Sequence, residues 1–340
     1  MSDTERPPVL DQDRVANDFL ALLRGDSYLS SGIAAIRVLY DILNNTDAST
    51  TFQVIAELES ATSAMANAEQ ASLCVLTACE IFTRYVTLTP SEILDNRDFR
   101  VVLGFYRNRA YQFLQRSANS PNFIARIACA FMPRDGTVLV HSYSKVVLRV
   151  LATAKMSNSI GSKFRVFVTE SRPDFSGRRM YEELVRHGFD ATLILDVSVG
   201  SLMSSVDVVL IGAEGVLETG GIINKMGTLN ITDSAKVMNK PVYVVAESIK
   251  FVKKAPMSKR EITHIALYPQ KPINMSLNIT EARDASGLFR RFETDYNNDD
   301  KQNHYQQVDY SPPTNINLII TDLGIFPPEA VGGELVKLYA

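Results

Sequence analysis

DVVLIGAEGVLETGG, Asp207 to Gly221, joins a run of β-branched and aliphatic residues to a stretch of small residues carrying one carboxylate near its start, Glu214. A short run that is apolar at successive positions reads as a strand buried on both faces, as in a parallel sheet covered by helices. Ligands of open α/β sheets bind outside the carboxyl ends of the strands. The loop from Gly212 to Gly221 therefore stands where such a ligand would sit.

The same rhythm recurs on both sides. TVLVHSY, FRVFVTES, ATLILD, DVVLIGAE and PVYVVAES are strand candidates, and Asn317 to Thr321 is a further one. Helical patterns separate them at Lys145 to Met156, Gly177 to His187, Ser201 to Ser205 and Thr232 to Asn239, and another runs from about Pro328 to Tyr339. Right-handed βαβ crossovers then predict a Rossmann-like, doubly wound parallel sheet over residues 132–340. ETDYNNDDKQNHYQQ, residues 293–307, breaks the rhythm and reads as a mobile surface loop.

Before Pro133 the apolar spacing is helical: Val15, Phe19, Leu22 and Leu23, then Ile33, Ile36, Leu39, Tyr40 and Leu43. Residues 1–131 are expected to form an all-helical domain of five or six helices. Breaks fall at Gly25 to Ser27, at NNTDAST (Asn44 to Thr50) and at Pro90, where Thr89-Pro90-Ser91-Glu92 looks like a helix start. Arg100, Arg107, Arg109 and Arg116 form either a basic face or a salt-bridged, solvated one.

Length and composition bound the function classes. With 340 residues, 46% hydrophobic and 21% charged, and a net charge of -3, the chain is an ordinary globular one of about two domains. Bulk charge gives no basis for nucleic-acid binding. The polar N-terminus and the absence of an apolar run of ~18 residues predict neither secretion nor membrane insertion, hence a cytosolic protein. Cys74, Cys79 and Cys129 match no zinc spacing, and the first two read as buried hydrophobes. No metal or cofactor is called for. The sequons at Asn230, Asn274 and Asn278 then carry no glycan.

The strand ends bring together His141, Ser142, Tyr143, Glu170, Arg172, Asp196, Glu214, Glu247 and Ser248. Carboxylates, an arginine and hydroxyls suit a polar, phosphorylated small molecule. No G-x-G-x-x-G follows a strand and no Walker lysine is present, which argues against dinucleotide binding and P-loop hydrolysis. VHSYS lacks the G-x-S-x-G of a nucleophile elbow. His141 reads as a buried strand-end histidine, and His187, His264 and His304 as solvent-facing.

VTESRPDFSGRRMYEELVRHGFDATLILD, DVVLIGAEGVLETGGIINKMGTLNITDSAK and NKPVYVVAES resemble the family that joins translation initiation factor 2B regulatory subunits to ribose-1,5-bisphosphate and methylthioribose-1-phosphate isomerases. GAEGV before GGIINK, YVVAESIKFV, and the ending VDYSPP…IITDLGIFPPEAV…ELVKLY bring it nearest to the alpha-subunit branch, with weaker similarity through SGIAAIRVLYDIL. In the isomerases a cysteine and an aspartate transfer protons; here Ser142 and Glu214 match those positions. A hydroxyl is a far poorer acid than a thiol of free pKa ~8.5. Moving a carboxylate by roughly 1 Å can lower the rate ~100-fold.

The resemblance thus implies a non-catalytic regulatory subunit of the guanine nucleotide exchange factor for initiation factor 2. It would form a homodimer, join the beta, gamma, delta and epsilon subunits, and help sense the phosphorylated alpha subunit of initiation factor 2. Arg172 and the Asn224-Lys225 pair match family positions that could still hold a sugar phosphate or nucleotide. Alternatively, Glu170-Arg172 and Glu214-Lys225 are salt bridges that hold loops. Arg37, Asn44, Asn45, Asp47, Thr50 and Thr51 are the candidate partner surface. The competing expectation is an active phosphosugar isomerase with Glu214 as base and Ser142 or His141 assisting.

Overall fold

A computed structural model describes residues 11–26, 29–68, 73–90, 93, 98–157, 163–253 and 307–339. The helical half contains α1 (Gln12–Gly25), α2 (Ser31–Asn45), α3 (Thr51–Ala66), α4 (Leu73–Thr87) and α5 (Phe99–Ala128). Four of these start at a residue whose side-chain oxygen accepts from a backbone N–H two or three positions on: Asp11, Ser30, Thr50 and Asp98. Each cap satisfies a donor that the first turn leaves unpaired.

Two arginines of α5 serve the opposite helix ends. Arg107 donates through Nε to the Leu43 carbonyl (3.1 Å), at the end of α2, and Arg109 through Nε to the Tyr85 carbonyl (2.8 Å), in the last turn of α4. The Arg109 guanidinium also lies 4.1 Å from the centre of the Tyr85 ring. These two residues act as C-terminal caps, while Arg100 pairs with Asp98 at 2.9 Å. Pro121 lies inside α5 and has no N–H for the Ser117 carbonyl; the Ser120 hydroxyl donates to that carbonyl instead, at 3.0 Å.

The expected strands are present as β1 (Thr137–His141), β2 (Arg165–Thr169), β3 (Ala191–Ile194), β4 (Val208–Ile211), β7 (Val242–Val245) and β10 (Leu318–Thr321). The main sheet has the order β11-β10-β7-β4-β1-β2-β3, where β11 is Gly324–Phe326 and pairs antiparallel to β10; the other pairs are parallel. Numbered within this sheet alone, the six parallel strands run 3-2-1-4-5-6, the doubly wound order, with β11 added as a seventh at the edge and the switch point between β1 and β4.

Alternate strand residues pack on opposite faces. Val138, Val140, Val208 and Leu210 join one apolar cluster with Ile124 and Ala128 of α5, whereas Leu139, Val209 and Ile211 join another that is continuous with the helical half through Phe82 and Leu39. The crossovers are α6 (Lys145–Ser157), α7 (Ser176–Arg186), α8 (Val199–Leu202) and α9 (Thr228–Val237), and the chain closes with α10 (Val331–Tyr339).

Four expectations are corrected. The edge strand β3 is not buried on both faces, since Thr192 and Leu193 are exposed. The segment expected as a helix from Ser201 to Ser205 is one α-turn followed by a 3-10 turn, Met203–Ser205. The helix expected from Thr232 starts at Thr228, because Asp309 accepts from the Gly227 and Leu229 N–H groups at 2.8 and 3.1 Å. This cap lies some eighty positions away in sequence, out of reach of any local signal.

The fourth correction concerns Gly212 to Gly221, which is not one continuous loop. It contains β5 (Gly215–Leu217) and turns at Gly220 into β6 (Ile222–Lys225), and with β8 (Phe251–Val252) and β9 (Val308–Ser311) these form a second, four-stranded sheet of order β8-β5-β6-β9. Gly220 has φ +81°, and a Cβ there would stand 2.1 Å from the Pro328 carbonyl oxygen, so only glycine fits the turn. Residues 293–306 of the expected mobile loop, together with Asn274, Asn278, His264 and His304, lie outside the described residues, as do Ser91 and Glu92.

Candidate functional site

At the switch point, where the carboxyl ends of β1 and β4 diverge, a cavity of about 590 Å³ opens between the sheet and the helical half. His141, Ser142, Tyr143, Glu214, Asn224 and Lys225 all line it, so six of the eight expected ligand residues share one wall. Glu170 and Arg172 stand one loop away. Arg172 places Nε 3.4 Å from Glu170 and its guanidinium 4.0 Å from the Phe175 ring centre, on a small crevice that Lys225 also borders.

The strand-end loops are held by their own hydrogen bonds. After β2, both carboxylate oxygens of Asp196 accept backbone N–H groups, from Ser171 at 2.9 Å and Arg172 at 2.7 Å. Asn224 is buried and turned towards Thr228, with Nδ2 3.1 Å from its hydroxyl. Lys225 pairs with Asp174 at 2.9 Å, and Glu214 acts on it only as a further charge. Burial works against the Lys225 charge, yet Asp174 holds its pKa above the ordinary lysine value.

His141 is buried and committed. Its Nε2 lies 2.9 Å from the Met226 carbonyl, which can only accept, so Nε2 carries the proton and Nδ1 accepts from the Thr169 hydroxyl at 2.6 Å. Burial pushes its pKa down, so the ring is neutral. Ser142 adopts φ +62° and places its Oγ 2.6 Å from Ser176 Oγ. Both ring nitrogens of the adjacent histidine are engaged elsewhere, so this serine has no base from that neighbour.

Residues outside those eight supply much of the wall. Arg24 comes from α1, Cys74 from α4, Lys145 from the start of α6, Arg179 from α7, and Glu247 with Lys250 from the turn after β7. Glu247 is expected from its strand-end position and Lys145 could have been found from its place just after β1; Arg24 and Cys74 carry no such signal. Glu247 is buried and its carboxylate lies 3.0 Å from Lys250 Nζ. Against the opposing effect of burial, that carboxylate keeps Lys250 charged. Burial pushes the Cys74 thiol up to about 12, which leaves it protonated and unreactive. Burial lowers Lys145 to about 8, with Arg179 adding to the effect.

A second cavity, of about 800 Å³, lies within the helical half between α1, α2 and the start of α3. Arg37, Asn45 and Asp47 line it together with Asp11, Asp18, Asp41 and Glu57. Thr50 Oγ1 accepts from Gln53 N at 3.2 Å, Thr51 Oγ1 lies 3.0 Å from the Tyr106 hydroxyl, and Asn45 Nδ2 donates to the Asp41 carbonyl at 2.7 Å. Asn44 is half-buried. Leu29 borders both cavities.

Residues 25–328 match the profile of the initiation factor 2 subunit family. A Caenorhabditis elegans protein named translation initiation factor eIF2B subunit alpha is 38% identical over 96% of this chain and 99% of its own length. A ribose 1,5-bisphosphate isomerase of Archaeoglobus fulgidus is 29% identical over 58% of this chain and 56% of its own. The fold is similar to a chain in the tetrameric eIF2B-beta2-delta2 complex from C. thermophilum, with TM-score 0.71 and 16% identity, covering 96% of this chain and 95% of that one. Among the described residues no helix is long and apolar enough to cross a membrane. A helical half, a doubly wound sheet with its cavity at the switch point and a profile match across most of the sequence agree: the chain belongs to the initiation factor 2 subunit family.

Proposed function

We propose that this chain is a regulatory, non-catalytic alpha subunit of the guanine nucleotide exchange factor for translation initiation factor 2, working in the cytosol. The near full-length similarity to a protein of that name supports the assignment. The observation that carries the non-catalytic part is the state of the inherited site. Ser142 stands where the isomerases have a cysteine, its hydroxyl faces Ser176, and His141 beside it is neutral with both nitrogens bonded. A hydroxyl without a base is a poor proton donor or nucleophile near neutral pH.

Loss of turnover leaves binding intact. Arg24, Lys145, Arg179 and Lys225 line the cavity together with Glu214, and their excess favours an anionic, phosphorylated sugar or nucleotide. We assign the proposed ligand role to the cavity residues and the sensing of phosphorylated initiation factor 2 to the helical half, with Arg37, Asn44, Asn45, Asp47, Thr50 and Thr51 on the contact rim. The division at 131/132 separates these roles. Homodimerisation and assembly with the beta, gamma, delta and epsilon subunits complete the proposal.

Two measurements test it. Affinity purification of the tagged chain from cells is expected to bring down the other exchange-factor subunits; their absence sinks the assignment. Assays with ribose-1,5-bisphosphate and methylthioribose-1-phosphate are expected to show no turnover. The carboxylate of Glu214 in the cavity favours isomerase activity, and turnover abolished by Glu214→Gln would establish that reading instead.

A further inference from the structure

Among the described residues three lysines border the switch-point cavity, and their surroundings differ in kind. Lys225 faces the Asp174 carboxylate at 2.9 Å and Lys250 the Glu247 carboxylate at 3.0 Å, so both amines are held as ammonium ions with no lone pair to offer. Among the described residues, Lys145 forms no ion pair with a carboxylate; its Nζ meets a backbone carbonyl instead. It is the first residue of α6 and points across the seam to the helical half, where its Nζ donates to the Leu29 carbonyl. A helix N-terminus disfavours positive charge.

The charged groups acting on Lys145 come from every side. Burial has the largest effect; Arg179 on α7 and Lys250 on the turn after β7 also disfavour its positive charge, while Asp26 at the end of α1 and Glu247 favour it. The balance leaves Lys145 at about 8, so a sizeable share of the amine is neutral near physiological pH. The same cations that oppose an ammonium would stabilise an anion attached at that nitrogen. The cavity of about 590 Å³ leaves room for a small adduct.

We propose that the side-chain amine of Lys145, facing this cavity and flanked by Arg179 and Lys250, is a site of reversible carbamate formation with dissolved carbon dioxide. The nitrogen lone pair attacks the carbon of carbon dioxide and an N–C bond forms. One carbon–oxygen π bond opens onto oxygen to give the carboxylate, and one proton leaves the nitrogen for solvent. No oxidant or second reactant is needed. The nitrogen keeps one N–H, which continues to donate to the Leu29 carbonyl, so the adduct forms without breaking the seam contact. The new carboxylate points at the cations that line the cavity and competes there with any phosphorylated ligand.

The full-length chain is exposed to carbon-13 bicarbonate at near-neutral and mildly alkaline pH, the carbamates are trapped by ethylation with a trialkyloxonium salt, and the peptides are mapped by mass spectrometry. The expected result is a carbon-13 ethyl carbamate on Lys145, at least about tenfold above Lys225 and Lys250, as the difference between a neutral and a charged amine demands. Its yield should fall when inorganic phosphate is added in excess. No label on Lys145, or equal label on all three lysines, overturns the proposal. Competitive acylation of the unmodified protein gives a second reading that needs no variant. Half-titration of Lys145 near 8 is expected, and a midpoint at the ordinary 10.5 overturns the electrostatic premise.

Discussion

The two cavities meet at Leu29 and carry opposite charge. Arg24, Lys145, Arg179, Lys225 and Lys250 border the one at the sheet end, with Glu214 and Glu247 among them; Asp11, Asp18, Asp26, Asp41, Asp47 and Glu57 border the one in the helical half, with Arg14 and Arg37. The net charge of -3 conceals this segregation. A clefted surface focuses the field of its own lining, so two neighbouring cavities of one small protein select ligands of opposite sign. Cations outnumber carboxylates in the sheet-end cavity, which favours an anion. The helical groove, where carboxylates outnumber Arg14 and Arg37, opposes a bare phosphate.

The largest expected effect breaks the sheet-end cavity itself. A Cβ on Gly177 would stand 1.7 Å from the Thr169 carbonyl oxygen, at the point where α7 packs against the end of β2. Gly177→Ala should lower stability by more than about 4 kcal/mol in denaturant unfolding, or abolish folding, while leaving isolated helical-half segments untouched. Next is the buried pair. Lys250→Met strands the Glu247 carboxylate, whose side chain is only 2% exposed, and should destabilise by about 3 kcal/mol; adding Glu247→Gln should recover much of that loss.

Smaller changes are expected from single charges. Affinity for a phosphorylated sugar, measured by calorimetry, should weaken as pH rises through about 8, because Lys145 is charged below that value and neutral above it. Lys145→Met should remove that pH step while keeping whatever affinity the remaining cations supply. In the groove, burial followed by Asp18 raises the pKa of Asp41. Asp18→Asn should therefore change stability by no more than about 0.5 kcal/mol and anion affinity by no more than about twofold. A larger gain of anion affinity from this change would mean that the two cavities are not electrically separate.

Much of the architecture was legible because burial leaves a periodic trace. Val138 and Val140 against Leu139, or Val208 and Leu210 against Val209, alternate between the two faces of a covered sheet, and such runs need both faces apolar. The second sheet left no comparable trace. Strands of two to four residues such as β5 and β8 are too short for periodicity, and their partners are brought in from residues 215 to 311. Likewise the start of α9 depends on Asp309, and two arginines that suggested a basic face turned out to cap α2 and α4.

The order of elements, the helical and sheet halves, and the strand-end residues His141, Ser142, Glu214 and Lys225 could be read from the chain alone, because they follow from local hydrophobic period and position after a strand. Only the tertiary structure decided how those residues are used. It neutralised and locked His141 between Thr169 and Met226, gave Lys225 to Asp174 rather than Glu214, and closed the cavity with Arg24 and Cys74 from the helical half. The physical reason is range. Periodicity records which face of an element is buried, whereas proton positions, ion-pair partners and cavity walls depend on groups far apart in the chain that meet only after the sheet and the helices have packed.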